Sequence, residues 1–227
     1  VLAAVGAGHA RLVHDRRVRT IAATLTRVML LRDALRGDTT RAQVFLDVGC
    51  GDGRVAALVA AHTGRAVMGV DPLPRENAVI SVAAFDGEHL PFPDDSVAYV
   101  TLSDVLHHAD DPVALLREGL RVSRHGVILK DHLVRHRGDG LVLRAMDWAG
   151  NAPHGVRLVY RYWTEREWWE MAEGSGARVT HWERLRDLYA APIDWVCGRH
   201  LHVVLVMERA LVPVPNEAGD QSSIAVR

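Results

Sequence analysis

Leu46-Asp47-Val48-Gly49-Cys50-Gly51-Asp52-Gly53 closes a short apolar, β-branched run that begins at Val44 and opens onto Arg54 to His62, whose apolar residues fall at helical spacing. The pattern is a strand, a glycine turn and a helix. Without a Cβ, a glycine lets the backbone turn tightly and lets a ligand lie against the main chain, while a helix start offers N–H groups with no partner inside the helix. A phosphate-binding loop would end in Gly-Lys-Ser or Gly-Lys-Thr, and the dinucleotide pattern needs glycine where Arg54 stands. The turn therefore cradles something other than their ligands. Ala66 to Val70 is a second strand ending at Asp71, which completes a β-α-β unit.

Working outward, Pro72 and Pro74 break the chain, and Ile80 to Phe85 predicts a third strand after a connection too short for a full crossover helix. Val97 to Leu102 is a fourth strand, Pro112 to Val122 a helix and Val127 to Lys130 a fifth strand. Such alternation predicts a mostly parallel sheet with helices on both faces and ligands at the carboxyl ends of the strands. Residues 133–162 interrupt the rhythm with Gly138, Gly140, Gly150, Pro153 and Gly155 and are expected to form a lid over that crevice. Thr164, with Glu167 in the capping-box position, starts a helix to Glu173; Ala177 to Leu185 and His200 to Arg209 then pair as an antiparallel edge. On the amino-terminal side, His9 to Arg36 predicts one or two amphipathic helices, stopped by Gly37. The expected organisation is a helical cover over 1–42, an α/β domain over 43–210 with a seven-stranded Rossmann-like sheet, and a mobile tail over 211–227.

Composition narrows the function. The 227 residues are 48% hydrophobic and 24% charged, which suits a soluble globular chain. With 27 basic against 28 acidic residues there is no general attraction for nucleic acid or anionic lipid, and no apolar run approaches the roughly 20 residues of a membrane span. Two cysteines, Cys50 and Cys197, are too few for a disulfide scaffold, so a cytoplasmic setting is expected. Val1 to Gly8 has neither an initiating Met nor the order of a signal peptide, which predicts a trimmed start. Lys130 is the only lysine among the basic residues.

The chemistry sits at strand ends. Asp71 occupies the place where a carboxylate accepts hydrogen bonds from both hydroxyls of a ribose, and Phe85-Asp86-Gly87 puts a second acid nearby, suited to an exocyclic amine such as adenine's. On these residues the chain resembles the class I, Rossmann-like methyltransferases that depend on S-adenosylmethionine. Asp47 to Gly53 looks like their first motif, Asp71 their ribose-binding acid and Phe85-Asp86-Gly87 their adenine-side motif. Leu90-Pro91-Phe92-Pro93-Asp94-Asp95-Ser96 and Asp104-Val105-Leu106-His107-His108 are similar to the type 11 small-molecule subfamily, and the resemblance runs from about Val44 to Arg209. It departs from the pattern in the short spacing between Asp71 and Asp86. It implies S-adenosylmethionine as cofactor, S-adenosylhomocysteine as product, and cofactor contacts from Asp47, Gly49, Cys50, Gly51, Asp71, Pro72, Asp86, Gly87, Ser103 and His107. Cys50 also reads simply as a small packed residue.

For the acceptor the expectation is a small molecule, methylated on oxygen or nitrogen by in-line transfer, with His132, Asp131 or His108 taking a proton where one must leave. Lys130 ends the fifth strand as a substrate contact or a salt-bridged lysine. Trp148, Asn151, His154, Tyr160 and Tyr162 give the insertion the aromatic, hydrogen-bonding character of a substrate lid, or else its own small core. His107 and His108 beside Asp110 and Asp111 could suggest a metal, but adjacent histidines should diverge, so no metal is expected. The basic cluster Arg16, Arg17, Arg19 is a solvated helix face or a clamp on an anionic substrate. Three other readings stay open: a non-methylating use of the same cofactor, such as cyclisation; a cofactor-binding protein without turnover; and methylation of RNA or protein, against which the neutral charge argues.

Overall fold

A computed structural model of the chain describes residues 2–38, 43–152, 155, 157–198 and 200–210, with the side chains of 2–13 excluded. The glycine turn lies where the sequence places it, between strand β1 (Val44–Val48) and helix α2 (Arg54–Thr63). Strands β2 (Ala66–Asp71), β3 (Val82–Ala84), β4 (Tyr99–Ser103), β5 (Val127–His132), β6 (Ala177–Arg184) and β7 (His202–Arg209) complete one sheet in the order β3-β2-β1-β4-β5-β7-β6. All pairs from β3 to β5 are parallel, and β7 runs antiparallel to both β5 and β6. The order reverses between β1 and β4, and a crevice opens at the carboxyl ends of strands at such a point.

Alternation along the buried strands sorts their side chains onto two faces. Leu46, Val48, Val100, Leu102 and Leu129 pack with Leu116 and Leu120 of helix α3 (Pro112–Val122) and Trp168 of helix α5 (Glu165–Gly174). Phe45, Tyr99, Ile128, Val204 and Val206 pack on the other face against helix α1 (Leu2–Arg36), through Ile21, Leu25, Val28 and Met29, and against Val59 of α2. Each such aliphatic side chain contributes about 1.5–3 kcal/mol by leaving water. The amino-terminal cover is thus one long helix serving as the sheet's second layer. Its buried Asp33 accepts from Arg65 (2.7 Å) and from the Tyr99 hydroxyl (2.9 Å).

No helix forms between β2 and β3, as the two prolines require. Asp111 caps α3 by accepting from the Ala114 N–H (2.9 Å), and Thr164 with Glu167 makes a complete capping box on α5. The 133–162 insertion contains a helix, α4 (Asp139–Asn151), that periodicity did not separate from its glycines, and a short α6 (Ile193–Cys197) precedes β7. The expected tail, 211–227, lies outside the described residues. Among the described residues no helix is long and apolar enough to cross a membrane.

Candidate active site

A crevice of about 750 Å³ runs across the carboxyl ends of β1, β2 and β4. Its cofactor end is made of turns. Gly49 and Gly51 adopt positive φ (67° and 57°), and a Cβ on Gly49 would lie 2.6 Å from Val105 Cγ2, so only glycine fits there. A Cβ on Gly51 would meet nothing nearer than the Arg75 guanidinium at 3.5 Å and would project into the space a ligand would use. Asp71 ties two turns together, accepting from the Gly51 N–H and the Leu73 N–H (2.8 Å each), with lone pairs left on both oxygens.

Asp47, at the end of β1, is 4% exposed, accepts from the Thr101 hydroxyl (2.6 Å) and lines the crevice. Burial pushes its pKa up to about 7, the Thr101 bond opposes this, and the charge of Asp71 adds to the rise. A carboxylate held this way calls for a cation, which the ammonium and sulfonium of S-adenosylmethionine would supply. Cys50 beside it is no nucleophile, because burial and the charges of Asp47 and Asp71 push its thiol up to about 12. Asp86 holds its own turn, accepting from the Glu88 and His89 N–H groups (2.8 and 2.7 Å), which brings its pKa down to about 2. Pro72, Phe85, Gly87 and Ser103 line the same end. The residues present fit an adenosine-bearing cationic ligand.

Beyond the turns the crevice is walled by Arg17 of α1, by Asp104 and His108 after β4, and by Asn151 and Arg157, while His14 and Val18 of α1 complete the lining, His14 close to the charges of Asp52 and Arg54. Asp104 stands at positive φ (60°) between two cations, 2.6 Å from the Arg17 guanidinium and 2.5 Å from Lys130 Nζ. Burial works against its charge, but Lys130 and Arg17 hold its carboxyl well below the usual range. Behind this wall lies a buried polar cluster. His107 Nδ1 is 2.6 Å from Asp131 Oδ1, and its Nε2 is 3.3 Å from Asp147 Oδ1. Burial disfavours a charged His107, yet Asp131 and Asp147 outweigh it and raise its pKa to about 10. The Tyr162 hydroxyl donates to Asp147 Oδ2 (2.6 Å), and the His132 ring lies 4.6 Å from that of His107.

Of the residues singled out from the sequence, Asp47, Gly49, Cys50, Gly51, Asp71, Pro72, Asp86, Gly87, Ser103, His108 and Asn151 all line the crevice. Others do not, and the reasons are physical. His107, Asp131 and His132 are buried behind the wall, at most 4% exposed, and none of them lines it. Lys130 is fully buried against Asp104 and 3.2 Å from His202 Nδ1, so it is the salt-bridged lysine rather than a substrate contact. Trp148 projects outward from α4 with 65% exposure. Tyr160 stacks under the Arg144 guanidinium, Tyr162 belongs to the buried cluster, and His154 lies outside the described residues. The divergence expected of His107 and His108 also fails: each brings a ligand-capable atom within 4.8 Å of the other and of Asp147. They sit in a single turn of 3-10 helix (Leu106–His108), where the tight winding brings the rings to 4.0 Å. Sequence reasoning gave no role to Asp104, His14 or Asp147. Asp104 stood inside the Asp104-to-His108 stretch that carries the resemblance, as an acid immediately after a strand at the crevice edge.

Comparison with known proteins agrees with this geometry. Residues 46–129 match a family model described as a methyltransferase domain. A methyltransferase of Mycobacterium marinum, uncharacterised, is 38% identical over 112 residues, which are 45% of this chain and 44% of that protein. The chain thus spans less than half the length of the curated relatives it matches. Among solved structures, the YcgJ protein from Bacillus subtilis superposes with a TM-score of 0.58 at 17% identity, over 84% of this chain and 98% of that one. An S-adenosylmethionine-dependent methyltransferase from Aquifex aeolicus gives 0.51 at 17% identity, over 78% and 88%. At these identities the superpositions speak for the fold, while the family match covers the turn, Asp71, Asp86 and the β4 end. Over residues 46–129 the chain is therefore similar to methyltransferase domains, set on a Rossmann-like fold.

Proposed function

We propose that the protein transfers a methyl group from S-adenosylmethionine to an oxygen or nitrogen of a small molecule held at the Arg17–Asp104–His108 end of the crevice. One observation carries this reading: the near-buried Asp47 carboxylate and the bare backbone at Gly51 share a single cavity with that polar wall. The cofactor, when bound, supplies a methyl group activated by a positive sulfur. Asp47 would meet its ammonium, Asp71 its ribose and Phe85 its adenine. The wall would then hold the acceptor opposite the methyl group, and orientation of this kind is worth effective molarities of about 10⁵–10⁸ M.

His108 is the one of the three proton-accepting candidates that faces the crevice. Its Nδ1 lies 3.0 Å from the Arg157 carbonyl, which must accept the Nδ1 proton and so leaves the Nε2 lone pair as acceptor, met in this structure by Asn151 Nδ2 at 3.3 Å. Asp131 and His132 act through other groups, as positioning residues. Calorimetry with S-adenosylhomocysteine beside NAD tests the cofactor, and incubation with candidate acceptors should yield S-adenosylhomocysteine and a product heavier by one methylene. His108→Ala should cut turnover while leaving cofactor affinity unchanged. Tight NAD binding, or no S-adenosylhomocysteine with any acceptor, would overturn the proposal.

A further inference from the structure

The buried cluster behind the crevice wall holds more ligand-type atoms than a hydrogen-bond network uses. His107 Nε2, Asp131 Oδ2 and His132 Nδ1 are all buried and unpartnered. Three overlapping groups bring metal-ligating atoms within 4.8 Å of one another: Asp104 with His132 and His202, His107 with Asp131 and His132, and His107 with His108 and Asp147. Their surroundings separate them. The Lys130 ammonium sits on both Asp104 and His202, so a second cation is excluded from the first. In the second, His107 Nδ1 and Asp131 are only 2.6 Å apart, a hydrogen bond rather than two atoms sharing an ion.

The third group has the features of a metal centre. A tetrahedral ion with bonds of about 2.0–2.1 Å sets its ligand atoms about 3.3–3.4 Å apart. His107 Nε2 and Asp147 Oδ1 are 3.3 Å apart, yet too poorly aligned for a hydrogen bond, which leaves that nitrogen unpartnered. Metal-bound histidines donate their other N–H to a carboxylate or backbone carbonyl, and both rings do so: His107 to Asp131, and His108 to the Arg157 carbonyl. Asp147 is steadied by Tyr162 through its other oxygen. His132 Nε2 comes within 3.8 Å of Asp147 Oδ1 but shares none of the three groups with Asp147 or His108, so it stands beside the site and is not one of its ligands. Asn151 Nδ2 lies 3.3 Å from His108 Nε2 and 3.4 Å from Asp147 Oδ1, and turning its amide would present an oxygen there instead.

We infer that His107, His108 and Asp147 form a three-ligand binding site for one divalent transition-metal ion, zinc by the chemistry of its donors, with a fourth position open to Asn151 or water and with Asp131 and Tyr162 orienting the ligands. Two imidazoles and one carboxylate suit zinc and its late first-row neighbours rather than magnesium or calcium. His108 and Asn151 also line the crevice, so one side of the ion would face the acceptor. With an ion bound, His108 Nε2 is occupied, and acidifying a coordinated acceptor falls to the metal. The site stands on its own geometry, and only this last role rests on methyl transfer.

The test uses the chain free of any histidine tag, stripped with a chelator, reloaded with Zn²⁺ and desalted, with metal measured by mass spectrometry and affinity by competition with a chromophoric chelator. The expected result is one ion per chain, bound at least 100-fold more weakly by His107→Gln and by His108→Gln, and 10–100-fold more weakly by Asp131→Asn. A wild-type chain that retains no ion, or a folded His108→Gln that binds as wild type does, overturns the site. If the variants fail to fold, Co²⁺ in the wild-type chain decides: the intense visible bands of a four-coordinate centre are expected, and the weak spectrum of the aqueous ion refutes it. Retention is read without turnover, so failure here leaves the methyl-transfer reading to its own test.

Discussion

At the cofactor end of the crevice, Asp71 reaches back to Gly51 and forward to Leu73 and bonds only to backbone. At the acceptor end, Arg17, Asp104, Lys130 and His202 converge from α1, the β4 end, β5 and β7 and touch one another through side chains. The first end is a local shape, set by glycine and by the ends of two adjacent parallel strands. The second is a long-range charge assembly in which every member depends on the others. The difference teaches where damage should appear. Changes at the cofactor end should cost ligand affinity and little stability, whereas changes at the acceptor end should cost stability first.

The largest expected effect tests the second half of that statement. Lys130 is fully buried with its ammonium 2.5 Å from Asp104, so Lys130→Met removes one partner of a buried pair. Breaking such a pair typically costs about 3–5 kcal/mol, because the remaining charge is left uncompensated. Denaturant unfolding should show that loss, and Lys130→Met with Asp104→Asn should recover part of it. If Lys130→Met unfolds at the wild-type midpoint, Arg17 alone neutralises Asp104 and the acceptor end is less interdependent than its contacts suggest.

The same contrast explains what the sequence made legible. Gly49, Gly51 and Asp71 are separated by a single β-α-β unit, and strand-to-helix patterning locates them without knowledge of any other part of the chain. The parallel run of the sheet follows from that alternation, while the strand order does not. The acceptor end depends on which of Lys130, Asp131 and His132 points forward, and alternate residues of a strand face opposite sides only where no bend intervenes. In β5 all three are buried, and none lines the crevice. Trp148 and Tyr162 share the same aromatic character in sequence; one lies exposed on α4 and the other buries its hydroxyl on Asp147, a distinction set by how α4 packs. His14 and Arg17 come to the crevice only because the whole of α1 lies across the sheet; the basic cluster gave Arg17 one of two readings, a clamp or a solvated face, and nothing near His14 announces a ligand.

A smaller effect, of a different kind, is expected at Asp71. Asp71→Ala removes the acceptor for two ribose hydroxyls, and hydrogen bonds to a charged group contribute about 1.5–3 kcal/mol each. Calorimetry with S-adenosylhomocysteine should show affinity falling by about 100-fold or more, while the loss of the bonds to Gly51 and Leu73 lowers unfolding stability by only about 1–2 kcal/mol. Unchanged affinity would mean that the ligand lies elsewhere in the crevice. A stability loss as large as that of Lys130→Met would erase the contrast between the two ends.

The finest test lies in pH, at Asp47. Its pKa in the folded, ligand-free chain is raised to about 7 from an ordinary value near 3.8, so the native state holds a proton that the unfolded chain has released. The linkage has a definite sign: between about pH 4 and 7 the native state binds more protons, so this group's contribution to stability declines as pH rises and levels off above 7. Asp47→Asn keeps an acceptor for Thr101 and removes the buried charge, so the ligand-free variant should melt higher than wild type at pH 8 and about equally at pH 5. Ligand binding should run the other way. A cationic ammonium favours the ionised carboxylate, so wild-type affinity for S-adenosylmethionine should rise with pH up to about 7, by as much as tenfold per unit below it, and binding at pH 6.5 should release protons. Calorimetry in buffers of different ionisation enthalpy measures that release directly. In Asp47→Asn both the pH slope and the proton release should vanish. A slope that survives the substitution would move the cation's partner from Asp47 to another carboxylate of the crevice, and Asp47 would then serve only to hold the turn.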